Sequence, residues 1–174
     1  MNYEGEKDVQ KDEILVYGNN GVCRLTDIRR ESFTDQPETY YILSPVFDER
    51  STIYVPTESR TAEKKLRPIM TKDKLDTMLV SAKNSAARWE NNDRKRGEYF
   101  KDITSKGLST DLLEVMKSLT IQKDKLKNSV RKLHAADERT LAVCEKIVGE
   151  EYAYAFGVDV NDALSHIKSE FLSE

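Results

Sequence analysis

Residue types that commonly carry chemistry are few in this chain and widely spaced. His134 and His166 stand alone on separate segments, without a Cys or carboxylate at metal-ligand spacing, so no metal site is expected. Each reads as a surface or helix-end residue. Neighbouring acids such as Asp137-Glu138 and Glu150-Glu151 are consecutive, which turns them to different faces of a helix and prevents a carboxylate pair. The phosphate loop GxxxxGK[ST], the dinucleotide turn GxGxxG, the zinc motif HExxH and the nucleophile elbow GxSxG are all missing. The expectation is a protein that is not an enzyme, with no catalytic residue, cofactor or small-molecule substrate. A hydrolase would need a concave pocket of converging polar groups that leaves no local signature.

One segment does carry equipment for binding. Ala86-Ala87-Arg88-Trp89-Glu90-Asn91-Asn92-Asp93-Arg94-Lys95-Arg96 contains the chain's only Trp, set among polar and basic residues. If the segment were helical, Trp89 would have Ser85, Ala86, Asn92 and Asp93 as its i±3 and i±4 neighbours, a face that cannot bury an indole well. A rigid apolar ring beside Arg and Lys suits a minor-groove wedge: cations hold phosphates while the ring stacks on or parts a base step. On composition alone, a Trp packed on a neighbouring helix or on a β-domain is the better reading.

Charge supports a basic middle. Residues 1–60 hold 7 Lys and Arg against 12 Asp and Glu, residues 61–106 hold 12 against 7, and residues 107–174 hold 9 against 12. The total of −3 therefore conceals a segment of net +5, and Lys117 to Lys132 forms a second basic run. Such clusters attract phosphates by counterion release, although charge alone fits a solvated helix surface equally well. With 38% hydrophobic and 34% charged residues in 174, one modest core or two small ones can form. No apolar run approaches the roughly 20 residues needed to span a bilayer. The acidic start MNYEGEKDVQKDEI offers no secretory signal, and Cys23 and Cys144 are far apart without CxxC spacing. Reduced thiols and a cytoplasmic location are expected.

The elements that must position these residues fall into two kinds. Residues 13–17, 21–28, 39–43 and 52–56 are short β-branched or aromatic runs separated by turn signals at 18–21, 34–37 and 48–51. In the second run, alternation puts Val22, Arg24, Thr26 and Ile28 on one face and Cys23, Leu25 and Asp27 on the other. Four or five such strands make a small antiparallel barrel or a strongly bent sheet. After Pro68 the period becomes helical: Leu75, Met78 and Leu79, then Leu112, Val115, Met116 and Leu119, then Leu141, Cys144, Ile147 and Val148. Ser109-Thr110-Asp111 and Asp159 supply helix starts and Gly157 a stop. The expected fold is α+β with two domains: a small antiparallel β-barrel over residues 1–68 and an all-α helical bundle over residues 69–174.

In order and spacing, these runs resemble the CarD/CdnL family of bacterial transcription regulators, whose N-terminal module is similar to the polymerase-interacting domain of transcription-repair coupling factors. The N-terminal carriers are Val16-Tyr17-Gly18-Asn19-Asn20-Gly21-Val22-Cys23, Asp27-Ile28, Tyr40-Tyr41-Ile42-Leu43 and Thr52-Ile53-Tyr54-Val55-Pro56. The C-terminal carriers are Trp89 with its basic neighbours, Ala136-Asp137-Glu138-Arg139-Thr140-Leu141, Ile147-Val148-Gly149-Glu150-Glu151, Ala153 and Ala155. The resemblance implies a Tudor-like β-barrel that binds the β subunit of RNA polymerase. It also implies a helical domain that touches promoter DNA at the upstream edge of the melted bubble and stabilises the open complex. Trp89 would be the minor-groove wedge and Arg94 a phosphate contact, with Arg88, Lys95 and Arg96 adding positive charge. Tyr54 stands where some relatives carry Arg on the polymerase-facing strand, between Ile53 and Val55, and Arg29 or Arg30 would assist there. Asn91 and Asn92 replace residues that are commonly basic in relatives. A polymerase-binding adaptor without DNA contact is the alternative.

Overall fold

The computed structural model describes residues 9–33 and 35–173, and these separate into two units between Ile69 and Met70. Residues 1–8 of the N-terminal segment read for a secretory signal, and Thr34 of the second turn, lie outside the described residues.

The first unit is a five-stranded antiparallel sheet formed by β1 (Ile14–Tyr17), β2 (Val22–Glu31), β3 (Glu38–Pro45), β4 (Ile53–Pro56) and β5 (Leu66–Pro68). A 3-10 turn at Gly18–Asn20 joins β1 to β2, and Gly18 and Gly21 take φ of 48° and 80°, which side chains with a Cβ adopt only at a cost. A single helical turn, α1 (Arg60–Glu63), precedes β5. The strand order is β4-β3-β2-β1-β5. The edges β4 and β5 do not pair with each other, so the expected closed barrel is corrected to an open sheet. β5 also went unforeseen, because three residues ending in Pro68 give too short a pattern.

A bulge in β2 sorts the two faces of the sheet. Leu25 pairs with Leu43 and Asp27 with Ile42, leaving Thr26 as the extra residue, its hydroxyl donating to the Ile42 carbonyl at 2.9 Å. Alternation therefore shifts by one after Leu25. Asp27 and Arg29 share the face of Arg24, whereas Ile28 and Arg30 take the face of Cys23 and Leu25, which corrects the uninterrupted alternation expected from sequence. Leu15, Cys23, Leu25, Leu43, Val55, Ala62 and Leu66 form the core on that second face.

The second unit consists of α2 (Lys72–Asn84), α3 (Asp93–Ser105), α4 (Thr110–Leu126), α5 (Ala135–Phe156) and α6 (Val160–Leu172). Thr71, Asn92, Ser109, His134 and Asp159 are the N-caps, each accepting a backbone N–H in the first turn. Gly157 ends α5 in the left-handed conformation at φ 68°. Their apolar stripes merge into one core that runs from Leu75 to Phe171. The α3 helix was not anticipated: its buried residues are Arg96, Phe100 and Ile103, a helical stripe whose first member is charged.

Among the described residues no helix is long and apolar enough to cross a membrane. Both cysteines are free and buried, and burial pushes the Cys144 thiol up to about 12, so it is no nucleophile at neutral pH.

The α5 and α6 helices meet at Gly149, where a Cβ would stand 2.9 Å from Leu164 Cγ and 3.1 Å from Val160 Cγ1. Gly149→Ala should therefore destabilise the protein by about 1–2 kcal/mol through overpacking, despite the better helix propensity of Ala. Urea denaturation measures the difference.

Candidate functional site

Trp89 lies on the connection between α2 and α3 rather than within a helix, so the helical-neighbour argument does not apply to it. The indole is half-buried and packs against the helical core. Its ring is stacked on the guanidinium of Arg96, with the guanidinium carbon 4.5 Å from the ring centroid.

Arg96 is 4% exposed. Its Nε and Nη2 donate to the two carboxylate oxygens of Asp137 at 3.1 and 2.7 Å, Nη2 also reaches Asp93 Oδ1 at 2.8 Å, and Nη1 donates to the Glu90 carbonyl at 2.8 Å. Hydrogen bonding to Asp137 raises the guanidinium pKa against the opposing effect of burial, with Asp93 adding to it. With its nitrogens committed inside the protein, Arg96 is withdrawn from the expected phosphate contacts. Lys117 is likewise withdrawn from the second basic run. It is buried, and its ammonium donates to the carbonyls of Ala82, Lys83 and Ser85 at 3.2, 2.6 and 2.6 Å.

Arg88, Arg94 and Lys95 are exposed. Arg94 pairs with Glu98 at 3.0 Å, a surface bond that costs little to exchange for another anion. Asn92 caps α3 by accepting Lys95 N–H at 3.0 Å, which gives a structural reason for an Asn at this position. Tyr99 is half exposed and was missed from sequence; Arg88 is near enough that its charge opposes the raising of the Tyr99 pKa by burial. The available signal was an aromatic one helical turn beyond Lys95.

On the sheet, the expected polymerase residues divide. Asp27 pairs with Ile42, Ile42 with Tyr54, and Arg29 with Tyr40, so Arg29 and Tyr54 share the face away from the core. Arg29 is held by Glu31 at 2.5 Å, and that bond, followed by the Glu31 charge, raises its pKa; the Tyr54 hydroxyl is a smaller contributor. Arg30, Ile53 and Val55 lie on the opposite face. Val55 is fully buried in the core and Ile53 packs against it, so neither is a contact presented with Tyr54. Phe33, which sequence reasoning missed, is 59% exposed and completes an aromatic cluster, its ring 4.8 Å from Tyr54 and 5.3 Å from Tyr40 in edge-on contacts. The signal was an aromatic residue placed inside the β2–β3 turn.

Among the described residues no group of three or more potential ligands could hold a metal ion. A hollow of about 200 Å³ between α2, α5 and α6 is lined by Leu79, Tyr152, Phe156 and Val158, with Asp76 and His166 beside them. Its Tyr152 hydroxyl donates to the Leu75 carbonyl at 2.6 Å, and burial raises its pKa, so it offers no free acid or base.

Residues 9–70, the strand-bearing part, match the family described as the CarD-like/TRCF RID domain. This sheet is a CarD-like/TRCF RID domain. Domains of the family interact with the β subunit of RNA polymerase. A comparison of the chain with curated proteins gives no match. The RID-domain match ends where the helical unit begins, so the helical unit is read from its own geometry.

The Arg96–Asp137 pair yields a clear expectation for stability. Asp137→Ala should cost about 3–5 kcal/mol, because it leaves a buried guanidinium without its main partner. Arg94→Ala should stay within about 0.5 kcal/mol of the parent, as expected of an exposed pair. Urea unfolding of both variants compares them directly.

Proposed function

We propose that this protein is a non-enzymatic regulator of transcription initiation. In this reading the RID domain, residues 1–68, docks on the β subunit of RNA polymerase. The helical domain, residues 69–174, contacts promoter DNA at the upstream edge of the bubble and stabilises the open complex. The observation that carries the proposal is a polymerase-interacting domain joined in one chain to a half-buried indole whose neighbours Arg88, Arg94 and Lys95 are exposed. Docking through the first domain makes the DNA contact effectively intramolecular, so a weak, sequence-tolerant surface suffices. A site that grips the opened junction better than duplex shifts the equilibrium by its difference in affinity. A tenfold shift needs about 1.4 kcal/mol, and one stacked aromatic is worth roughly 1–3 kcal/mol.

The polymerase-facing surface is read as the aromatic face of Tyr54 and Phe33 with Arg29 at its side. An aromatic centre with a charged margin matches the distribution of binding energy in protein interfaces. Arg30, on the other face of β2, is assigned no part in that cluster.

A second reading, a polymerase-bound adaptor whose helical domain meets another protein, is favoured by the charge balance around Trp89. Arg88, Arg94 and Lys95 are matched in number by Glu90, Asp93 and Glu98, and Arg96 is neutralised internally. Salt dependence separates the two readings, since phosphate contacts lose affinity with rising ionic strength in proportion to their number, whereas an apolar protein interface weakens little.

Two measurements test the proposal. Trp89→Ala should shorten open-complex lifetime about tenfold in a competitor-challenge assay while polymerase affinity is unchanged. An unchanged lifetime removes Trp89 from the mechanism. Replacing Phe33 and Tyr54 together by Ala should weaken binding to polymerase about tenfold or more in a titration of the full chain. Retained binding would move the docking surface elsewhere on the sheet.

A further inference from the structure

The connection that carries Trp89 is held at both ends by buried cations that face inward. At its start, Lys117 of α4 donates to the carbonyls of Ala82, Lys83 and Ser85, tying down the last turn of α2 and the first residue beyond it. At its end, Arg96 of α3 grips the Glu90 carbonyl, and the Asn92 side chain caps α3. Between these anchors the indole lies on the Arg96 guanidinium at 4.5 Å, and Asp137 of α5 holds that guanidinium with two hydrogen bonds. Neither cation is available to a phosphate. Each is more elaborately satisfied than a helix cap or a surface pair requires, and both act on the same short stretch of chain.

We infer that Arg96 and Lys117 are positioning residues that lock residues 85–92, so that Trp89 meets its partner already held in one orientation. The inference rests on the DNA-contacting reading above for the identity of that partner, an opened DNA junction. The physical gain is entropic. A ring that is free in the unbound protein must be immobilised on binding, whereas a ring stacked on a fixed guanidinium has been ordered during folding. The stack also leaves the neighbouring exposed cations, rather than Arg96, to meet phosphate. Arg96 thus acts on the DNA through the indole and does not touch it.

The sole tryptophan makes the lock directly observable in the full-length protein. In the parent, selectively excited indole fluorescence should show slow anisotropy decay and restricted quenching by acrylamide. Fast, free rotation of the ring would overturn the inference before any substitution is made. Arg96→Met combined with Asp137→Leu removes both charges of the buried pair and keeps an apolar interior, an exchange that folded proteins commonly tolerate. Lys117→Met releases the other anchor while keeping most of the side-chain volume. Each variant, confirmed as folded by far-UV circular dichroism, should show faster indole motion and greater quenching. Each should also bind a synthetic forked duplex about three- to tenfold more weakly, the order expected for ordering one side chain. A folded double variant with unaltered anisotropy and quenching, or with parental affinity for the fork, overturns the inference. If the double variant fails to fold, the Lys117→Met variant and the parental anisotropy decide the same question. Trp89→Ala separates the two levels. If it binds the fork as tightly as the parent, the DNA-contacting reading fails, and the fluorescence still decides whether the ring is locked.

Discussion

The organisation of the helical unit depends on one buried ion pair. Arg96 and Asp137 are both almost fully enclosed and meet through two parallel hydrogen bonds, the fork geometry that suits guanidinium to carboxylate. Removing two charges from water is costly, and such a pair is weak grounds for claiming net stability. What it fixes in this structure is the pairing of one position of α3 with one position of α5. An apolar contact between α3 and α5 could slide by a turn, whereas a pair that leaves charges unsatisfied in any other register cannot. The same guanidinium supports the indole and holds the Glu90 carbonyl, so helix register and the placement of Trp89 have a common cause.

The sheet unit solves a different problem with a single extra residue. A regular β2 would place Asp27 toward the core beside Cys23 and Leu25. The bulge at Thr26 prevents this, sending Asp27 and Arg29 to the outer face and leaving the inner one apolar along its centre. The outer face can then gather Tyr40, Tyr54 and Phe33 edge to edge beside Arg29, which is itself braced by Glu31. Phe33 and Tyr54, the exposed members, cost little conformational entropy when they are covered, because neighbouring rings already restrict their motion.

Much of this was legible in the sequence where periodicity and punctuation agreed. The first four strands, α4 with its Ser109 cap, α5 with its Gly157 stop and α6 from Asp159 followed from alternation, helical spacing and capping chemistry. Illegible parts were those in which a polar residue does the work of an apolar one. The α3 helix hides because Arg96 occupies the first core position of its stripe and Gly97 follows it. In the sequence Arg96 and Lys117 look like surface charge for the same reason. No local pattern states that their partners lie 41 residues away at Asp137, or 32 to 35 residues back at the end of α2. Within the sheet, alternation told which runs were strands but could not reveal a bulge, since the extra residue becomes visible only through its pairing. Of the two surfaces, Trp89 and its exposed cations were legible by composition. Phe33 was not, because a turn residue becomes significant only when β3 and β4 bring Tyr40 and Tyr54 beneath it.

Accounting for Arg96 and Lys117 changes what the helical unit can do with nucleic acid. Once they are removed, the exposed cations beside Trp89 number three: Arg88, Arg94 and Lys95, and Arg94 already faces Glu98. At about 0.9 of a counterion released per phosphate neutralised, three contacts provide a shallow salt dependence and little free-standing affinity for duplex. A surface this close to neutral cannot search a genome by itself in a protein of net charge −3. Under the proposed reading it would act only when something else brings it to DNA, since a tether of short reach raises effective concentration to roughly millimolar. The weak charge and the fixed indole therefore belong together. A strongly basic patch would hold any duplex, whereas the DNA-contacting reading asks of a nearly neutral patch with one ring only that it favour an already opened base step once the other domain has docked.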